Sequence, residues 1–149
     1  LVIEDDRPML EVINDKLEKC GFGVITARSV DQAFNPKLGK KNLGTVNVSS
    51  IKEALKYLEN LERVDAIWLD HHLAGKEDGL DFVKKFKANG APWKKVPVFV
   101  VSNAANPKTV KSYISSGVSK YYIKSNHRLD EIVKDINLFL SSPLKREIS

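Results

Sequence analysis

The stretch Asp65-Ala66-Ile67-Trp68-Leu69-Asp70 constrains this chain more than any other. It is a short, nearly continuous apolar run that ends abruptly in a carboxylate. Such a run, bounded by charge, reads as a strand buried on both faces, the kind found in parallel sheets. Asp70 then sits at the carboxyl end of the strand, where open α/β sheets gather their chemistry. An Asp at that point is either a cap or loop-start residue or a group with a chemical task, because an unpaired charge beside a buried strand is costly.

The rest of the chain repeats the pattern. Leu1-Val2-Ile3 is a first strand closed by Glu4-Asp5-Asp6, and Arg7-Pro8 opens a helix with Asp6 as cap. Met9, Leu10, Ile13, Leu17 and Cys20 fall at helical spacing, and Gly21 stops them. Phe22 to Thr26 reads as a second strand. Residues 28–49 depart from the rhythm: Asn35-Pro36 breaks any helix, and Thr45-Val46-Asn47-Val48 alternates like a small strand, which suggests an excursion ending in a hairpin. Ser50-Ile51-Lys52-Glu53 is a capping box for a second helix striped by Ile51, Ala54, Leu55, Leu58 and Leu61.

After the run to Asp70, Leu80, Val83 and Phe86 line a third helix ended by Asn89-Gly90. Val96 to Val101 is a fourth strand ending in Ser102-Asn103. Asn106-Pro107 opens a fourth helix with Val110 and Ile114 inward and Gly117 as stop. Tyr121-Tyr122-Ile123 is a fifth strand ending in Lys124. Leu129, Ile132, Val133, Ile136, Phe139 and Leu140 stripe a last helix that Ser141-Ser142-Pro143 ends. Five strands alternating with five helices predict an α/β fold with a parallel sheet covered on both faces. Right-handed crossovers then bring every strand's carboxyl end to one edge.

Glu4, Asp5, Asp70, Ser102 and Lys124 all land on that edge. Three close carboxylates repel, and Lys124 offsets only one charge. The remaining excess suits a hard divalent cation such as Mg²⁺, which is commonly held by a few carboxylates and waters. A cation, an amine, a hydroxyl and a carboxylate nucleophile are together the equipment for phosphoryl transfer. A salt-bridged strand edge without chemistry is the plainer reading of the same residues. His71-His72 is a poor metal pair, since adjacent residues leaving a strand point apart. Trp68 reads as core.

Charge and length exclude several classes. The chain has 149 residues, enough for one domain, and a net charge of +5 from 24 basic and 19 acidic residues. The lysine-rich stretches hold few aromatics and no reading motif, so they describe a solvated surface rather than a nucleic-acid interface. No apolar run is long enough to span a membrane. A single cysteine, Cys20, leaves no internal disulfide and fits a reducing cytoplasm, so a cytoplasmic location is expected. Leu1 already belongs to an apolar run and is not Met, which reads as a chain beginning inside a longer one.

Ile3-Glu4-Asp5-Asp6, Trp68-Leu69-Asp70, Val101-Ser102 and Tyr121-Tyr122-Ile123-Lys124, in this order, resemble the receiver domain of two-component response regulators. The resemblance implies a flavodoxin-like, doubly wound five-stranded parallel sheet of strand order 2-1-3-4-5, with five helices and an expanded segment before the second helix. It implies a receiver domain over 1–141, with an insertion at about 35–49, and a tail or linker over 142–149. Asp70 would accept a phosphoryl group from a histidine of a sensor kinase or phosphotransfer protein. Asp5 would bind Mg²⁺ directly, Glu4 through water, and the backbone carbonyl of His72 and Asp70 itself would complete the set. Lys124 would pair with the phosphoryl oxygens, and Ser102 and Tyr121 would be the switch pair. Such a module catalyses only its own phosphorylation and dephosphorylation, and it passes the signal to a downstream protein or effector domain.

The sequence departs from the family pattern at Ser125, where proline is usual, and at Asn103, where a small residue is usual. The loop Leu73 to Gly79 runs one residue long, with Ala74 where proline is common. The segment before the second helix is longer by roughly twenty residues, which a surface loop absorbs at small entropic cost. None of these changes removes a chemical group. A phosphorylation-independent interaction module of the same fold is the alternative. A phosphatase of the haloacid dehalogenase type would need a second Asp where His72 stands.

Overall fold

The computed structural model describes residues 1–24, 26–27, 47–48, 64–73, 77–90 and 94–142. In chain order these form β1 (Val2–Ile3), α1 (Arg7–Lys19), β2 (Thr26–Ala27), β3 (Asn47–Val48), β4 (Ile67–Leu69), α2 (Gly79–Phe86), β5 (Val98–Ser102), α3 (Pro107–Ser115), β6 (Lys120–Ile123) and α4 (Leu129–Ser141). A 3₁₀ turn over Lys124–Asn126 links β6 to α4. The second helix read from Ser50 to Leu61 lies outside the described residues, as does most of the 35–49 excursion.

Among the described residues all strand pairs are parallel, in the order β3-β2-β1-β4-β5-β6. The expected doubly wound order is therefore present, with one further short strand, β3, added at the edge. Its place in the sheet corrects the reading of Asn47-Val48 as part of an excursion away from it; a hairpin within that excursion falls outside the described residues. Alternation marks a strand but not its direction, and residues 28–46 supply the dozen or more residues that a parallel pair needs between its strands.

The second strand also begins later than Phe22. Gly21 has φ +85°, its N–H donates to Glu18 O at 2.9 Å, and the Phe22 N–H donates to Leu17 O at 3.1 Å. This pair of bonds closes the last turn of α1 and ties Phe22 to the helix end, so the chain cannot extend until after it. At the other end of α1, Asp6 accepts from Met9 N at 2.9 Å as the cap, with Pro8 in the first turn.

Register fixes which residues face which layer. Ile3, Leu69, Val100 and Tyr121 align across the sheet and belong to the face covered by α2 and α3, with Phe82, Val83, Phe86 and Tyr113. Val2, Trp68, Phe99 and Tyr122 belong to the opposite face, covered by α1 and α4 through Leu10, Ile13, Leu17, Ile132, Val133 and Ile136. Trp68 is core, as expected. Side chains alternate between two apolar layers, and this is what holds the strand ends in line.

Two helices differ in detail from their reading. α2 ends at Phe86, before Asn89-Gly90, and buries Phe82 beside Val83. α3 turns Tyr113 fully inward and leaves Ile114 more than half exposed. Val110 with Tyr113 and Val110 with Ile114 both satisfy a 3.6-residue period, so spacing alone does not decide the rotation of a helix this short.

Candidate functional site

Because the sheet is parallel, β1, β4, β5 and β6 deliver Glu4-Asp5, Asp70, Ser102 and Lys124 to one edge. Glu4 is 1% exposed and Asp70 6% exposed, and Ser102 is wholly buried. Lys124 Nζ donates to Glu4 Oε2 at 2.7 Å and to Asp70 Oδ2 at 3.0 Å. The amine thus bridges two carboxylates from strands that are adjacent in space and 66 positions apart in sequence (70 − 4).

Each charge shapes the others. Burial pushes the Glu4 carboxyl up to about 7; the Lys124 hydrogen bond opposes this and the Asp70 charge reinforces it. Burial works against the Lys124 ammonium, but hydrogen bonds and charge from Glu4 and Asp70 outweigh it, and its pKa stands above the ordinary lysine value. Asp70 Oδ1 also accepts the His71 backbone N–H at 2.6 Å. The carboxylate is therefore gripped on both oxygens.

Glu4, Asp5 and Asp70 each offer one oxygen, and these lie within 4.8 Å of one another. Three hard oxygen donors at that spacing fit a divalent cation.

Ser102 and Tyr121 form a neighbouring group around the turn that follows β5. Ser102 Oγ accepts from Ala104 N at 3.2 Å, and the Tyr121 hydroxyl donates to Ala104 O at 2.6 Å. Burial raises the Tyr121 hydroxyl pKa, and the Ser102 hydroxyl partly offsets the rise. The tyrosine remains a neutral donor.

The structure thus brings Glu4, Asp5, Asp70 and Lys124 into one ionic group and joins Ser102 to Tyr121 through Ala104. The His72 ring joins neither group; it is exposed and lies 4.8 Å from the His71 ring. That contact corrects the expectation that the two histidines point apart. Strand alternation stops at Leu69, and the bend at 71–72 lets consecutive rings share a side. Asn103 is exposed on the turn, and Ser125 lies in the 3₁₀ turn with its hydroxyl on Asn126 Oδ1 at 3.2 Å. Neither residue blocks the contacts among the acids and the amine.

Sequence reading missed two residues. His71 Nδ1 lies 2.8 Å from the hydroxyl of Tyr113, which reaches it from α3. The available signal was a tyrosine at core spacing in α3, opposite a histidine that directly follows the strand-end Asp.

Comparison with known proteins agrees with this fold. The sequence model of the response regulator receiver domain matches residues 32–137. No curated protein matches the chain at a significant level. Among solved structures, the phosphorylated cyanobacterial phytochrome response regulator RcpA is 26% identical, with a TM-score of 0.67, covering 95% of this chain and 91% of that one. The Mn²⁺-bound form of response regulator Rcp1 is 21% identical, with a TM-score of 0.67 and coverage of 95% and 93%. The receiver domain of NtrX from Brucella abortus is 18% identical, with a TM-score of 0.67 and coverage of 95% and 97%. Since the family match spans well over half of the sequence and the sheet order agrees with it, the chain belongs to the response regulator receiver domain family.

Proposed function

We propose that this chain is a phosphorylation-switched receiver in which Asp70 accepts a phosphoryl group from a histidine of a sensor kinase or phosphotransfer protein. The observation that carries the reading is Lys124 Nζ held between Asp70 Oδ2 and Glu4 Oε2, with Asp5 beside them. RcpA, solved phosphorylated, and Rcp1, solved with Mn²⁺, support it as relatives of the same fold. The domain runs over 1–141, ending with α4, and 142–149 form a tail or linker.

In the transfer, a carboxylate oxygen of Asp70 forms the new O–P bond as the P–N bond to the donor histidine breaks. The electron pair stays on the donor imidazole, which takes up a proton from water. Lys124 neutralises the arriving phosphoryl oxygens and is already within reach of Asp70. The His71 N–H on Asp70 Oδ1 orients the nucleophile. Glu4, Asp5, Asp70 and the His72 backbone carbonyl would hold Mg²⁺, which supplies charge neutralisation at the phosphoryl group.

A new dianion on Asp70 recruits the Ser102 hydroxyl. Tyr121 then gives up its bond to Ala104 O and turns, carrying the change to the face of α3, β5 and β6. A downstream protein or effector domain reads that face. The role is that of a signalling module rather than an enzyme acting on a separate substrate.

Incubation with acetyl phosphate and Mg²⁺, followed by intact mass measurement, tests the reading. The chain is expected to gain one phosphoryl group, and Asp70→Asn or excess EDTA to abolish the gain. An unchanged mass, where a known receiver is modified, would favour the phosphorylation-independent module.

A further inference from the structure

Tyr113 is the largest fully buried side chain of the described core, and its hydroxyl needs a partner there. That partner is His71 Nδ1, at 2.8 Å, with the two rings edge to face and their centroids 5.7 Å apart. His71 is the residue directly after Asp70. Its backbone N–H grips Asp70 Oδ1 at 2.6 Å, and its carbonyl accepts from Gly79 N at 2.9 Å, at the start of α2. The ring contact with Tyr113 is thus the third tether on one residue, and it comes from α3.

The space for this tether is built deliberately. A Cβ at position 79 would lie 2.3 Å from Asp70 O and 2.6 Å from the Tyr113 hydroxyl oxygen. Only a residue without a side chain lets the hydroxyl stand beside the Asp70 backbone. On its other side the Tyr113 ring lies 5.4 Å from the Tyr121 ring, tilted by 53°. Tyr121 in turn bonds to Ala104 O, on the turn whose Ala104 N–H is held by Ser102 Oγ. A continuous series of contacts therefore runs from the Asp70 carboxylate through His71, Tyr113 and Tyr121 to Ser102.

We infer that Tyr113 is a positioning residue: its hydroxyl fixes His71, and so the orientation of the Asp70 carboxylate, while its ring fixes the resting place of Tyr121. This couples α3 to the reacting carboxylate by a route that does not pass through Lys124. The inference rests on Asp70 as the acceptor for its kinetic consequence, but the coupling itself does not require phosphate.

Tyr113→Phe deletes the bond while keeping the ring, and His71→Ala deletes it from the other end. His71→Asn keeps a polar atom near the Nδ1 position. With acetyl phosphate and Mg²⁺, each deletion is expected to slow phosphoryl uptake roughly three- to tenfold, as loss of one well-placed hydrogen bond would. The Tyr113→Phe/His71→Ala double variant should be no slower than the slower single, and His71→Asn should recover part of the loss. Without any phosphoryl donor, ring-carbon NMR of ¹³C-labelled tyrosine should show the Tyr121 signal displaced by His71→Ala, a residue it does not touch. Uptake unchanged by Tyr113→Phe, multiplicative slowing in the double variant, or an unmoved Tyr121 signal would each overturn the inference. If wild type takes up no phosphoryl group, the functional reading fails, and the Tyr121 signal still decides the coupling.

Discussion

The site has two halves, and they are held together in opposite ways. Glu4, Asp70 and Lys124 form a group bound by full charges at 2.7 and 3.0 Å. Ser102, Tyr121, Tyr113 and His71 form a group of neutral hydroxyls, one imidazole and rings in edge-to-face and tilted contact. Charge in a nearly dry setting fixes geometry strongly and answers to other charges. Neutral bonds are each worth only about 1 kcal/mol net and can be exchanged one for another, so that half is the one able to rearrange. Under the proposed function, a chemical event in the first half would be read by movement in the second.

The contrast breaks most sharply at Lys124. Lys124→Ala leaves two buried carboxylates unopposed, and a loss of about 2–4 kcal/mol is expected in urea unfolding without metal. Millimolar Mg²⁺ should return much of it. A loss that Mg²⁺ does not touch would mean that the amine serves packing rather than charge.

Gly79→Ala strikes where the halves meet. Its Cβ would press on Asp70 O and the Tyr113 hydroxyl, and backbone at 2.3 Å cannot yield cheaply. A loss of about 2–3 kcal/mol is expected from the overpacking. A melting temperature equal to wild type would show that the two groups are not joined at that point.

The pH response separates the site from the periphery by sign. Burial raises the Glu4 carboxyl from 4.5 to about 7, so its contribution to stability is full below pH 4.5 and is lost as pH climbs through 7. Unfolding curves in EDTA between pH 5 and 8 should show this decline, and Glu4→Gln should remove it. Asp135 behaves oppositely. The hydrogen bonds from Lys120 and Tyr122 hold its carboxyl below 3.8, so its contribution is present above that value and lost as pH falls through the depressed one. Lys120 and Asp135 are both more than a third exposed, and Asp135→Asn is expected to cost well under about 1 kcal/mol by the same unfolding assay.

Which parts of this were legible beforehand follows from what local sequence encodes. Strand ends are marked by a switch from apolar to polar residues, so the sequence alone places Glu4, Asp5, Asp70, Ser102 and Lys124 on one edge. The caps Asp6 and Asn106 and the stop at Gly21 were equally local. Pairing is not local, which is why β3 could be read as a small strand but not as a member of the sheet. Helix rotation is not local either: the choice between Tyr113 and Ile114 in α3 turns on a partner, His71, that lies 42 positions away. The tyrosine went unread as part of the site because Ile114 fits the same helical spacing and stood in its place as the inward residue.

The bridge made by Lys124 also bears on how an ion would come and go. Glu4 Oε2 already accepts from the amine and Glu4 Oε1 from the Asp6 N–H, so a cation taken up at either oxygen would compete with one of those bonds, and displacing it would cost attraction. Part of the gross attraction is spent on that displacement, and the net grip is correspondingly weaker. Under the proposed function, a centre that carries its own internal competitor would exchange its ion readily and follow the surrounding concentration instead of storing it.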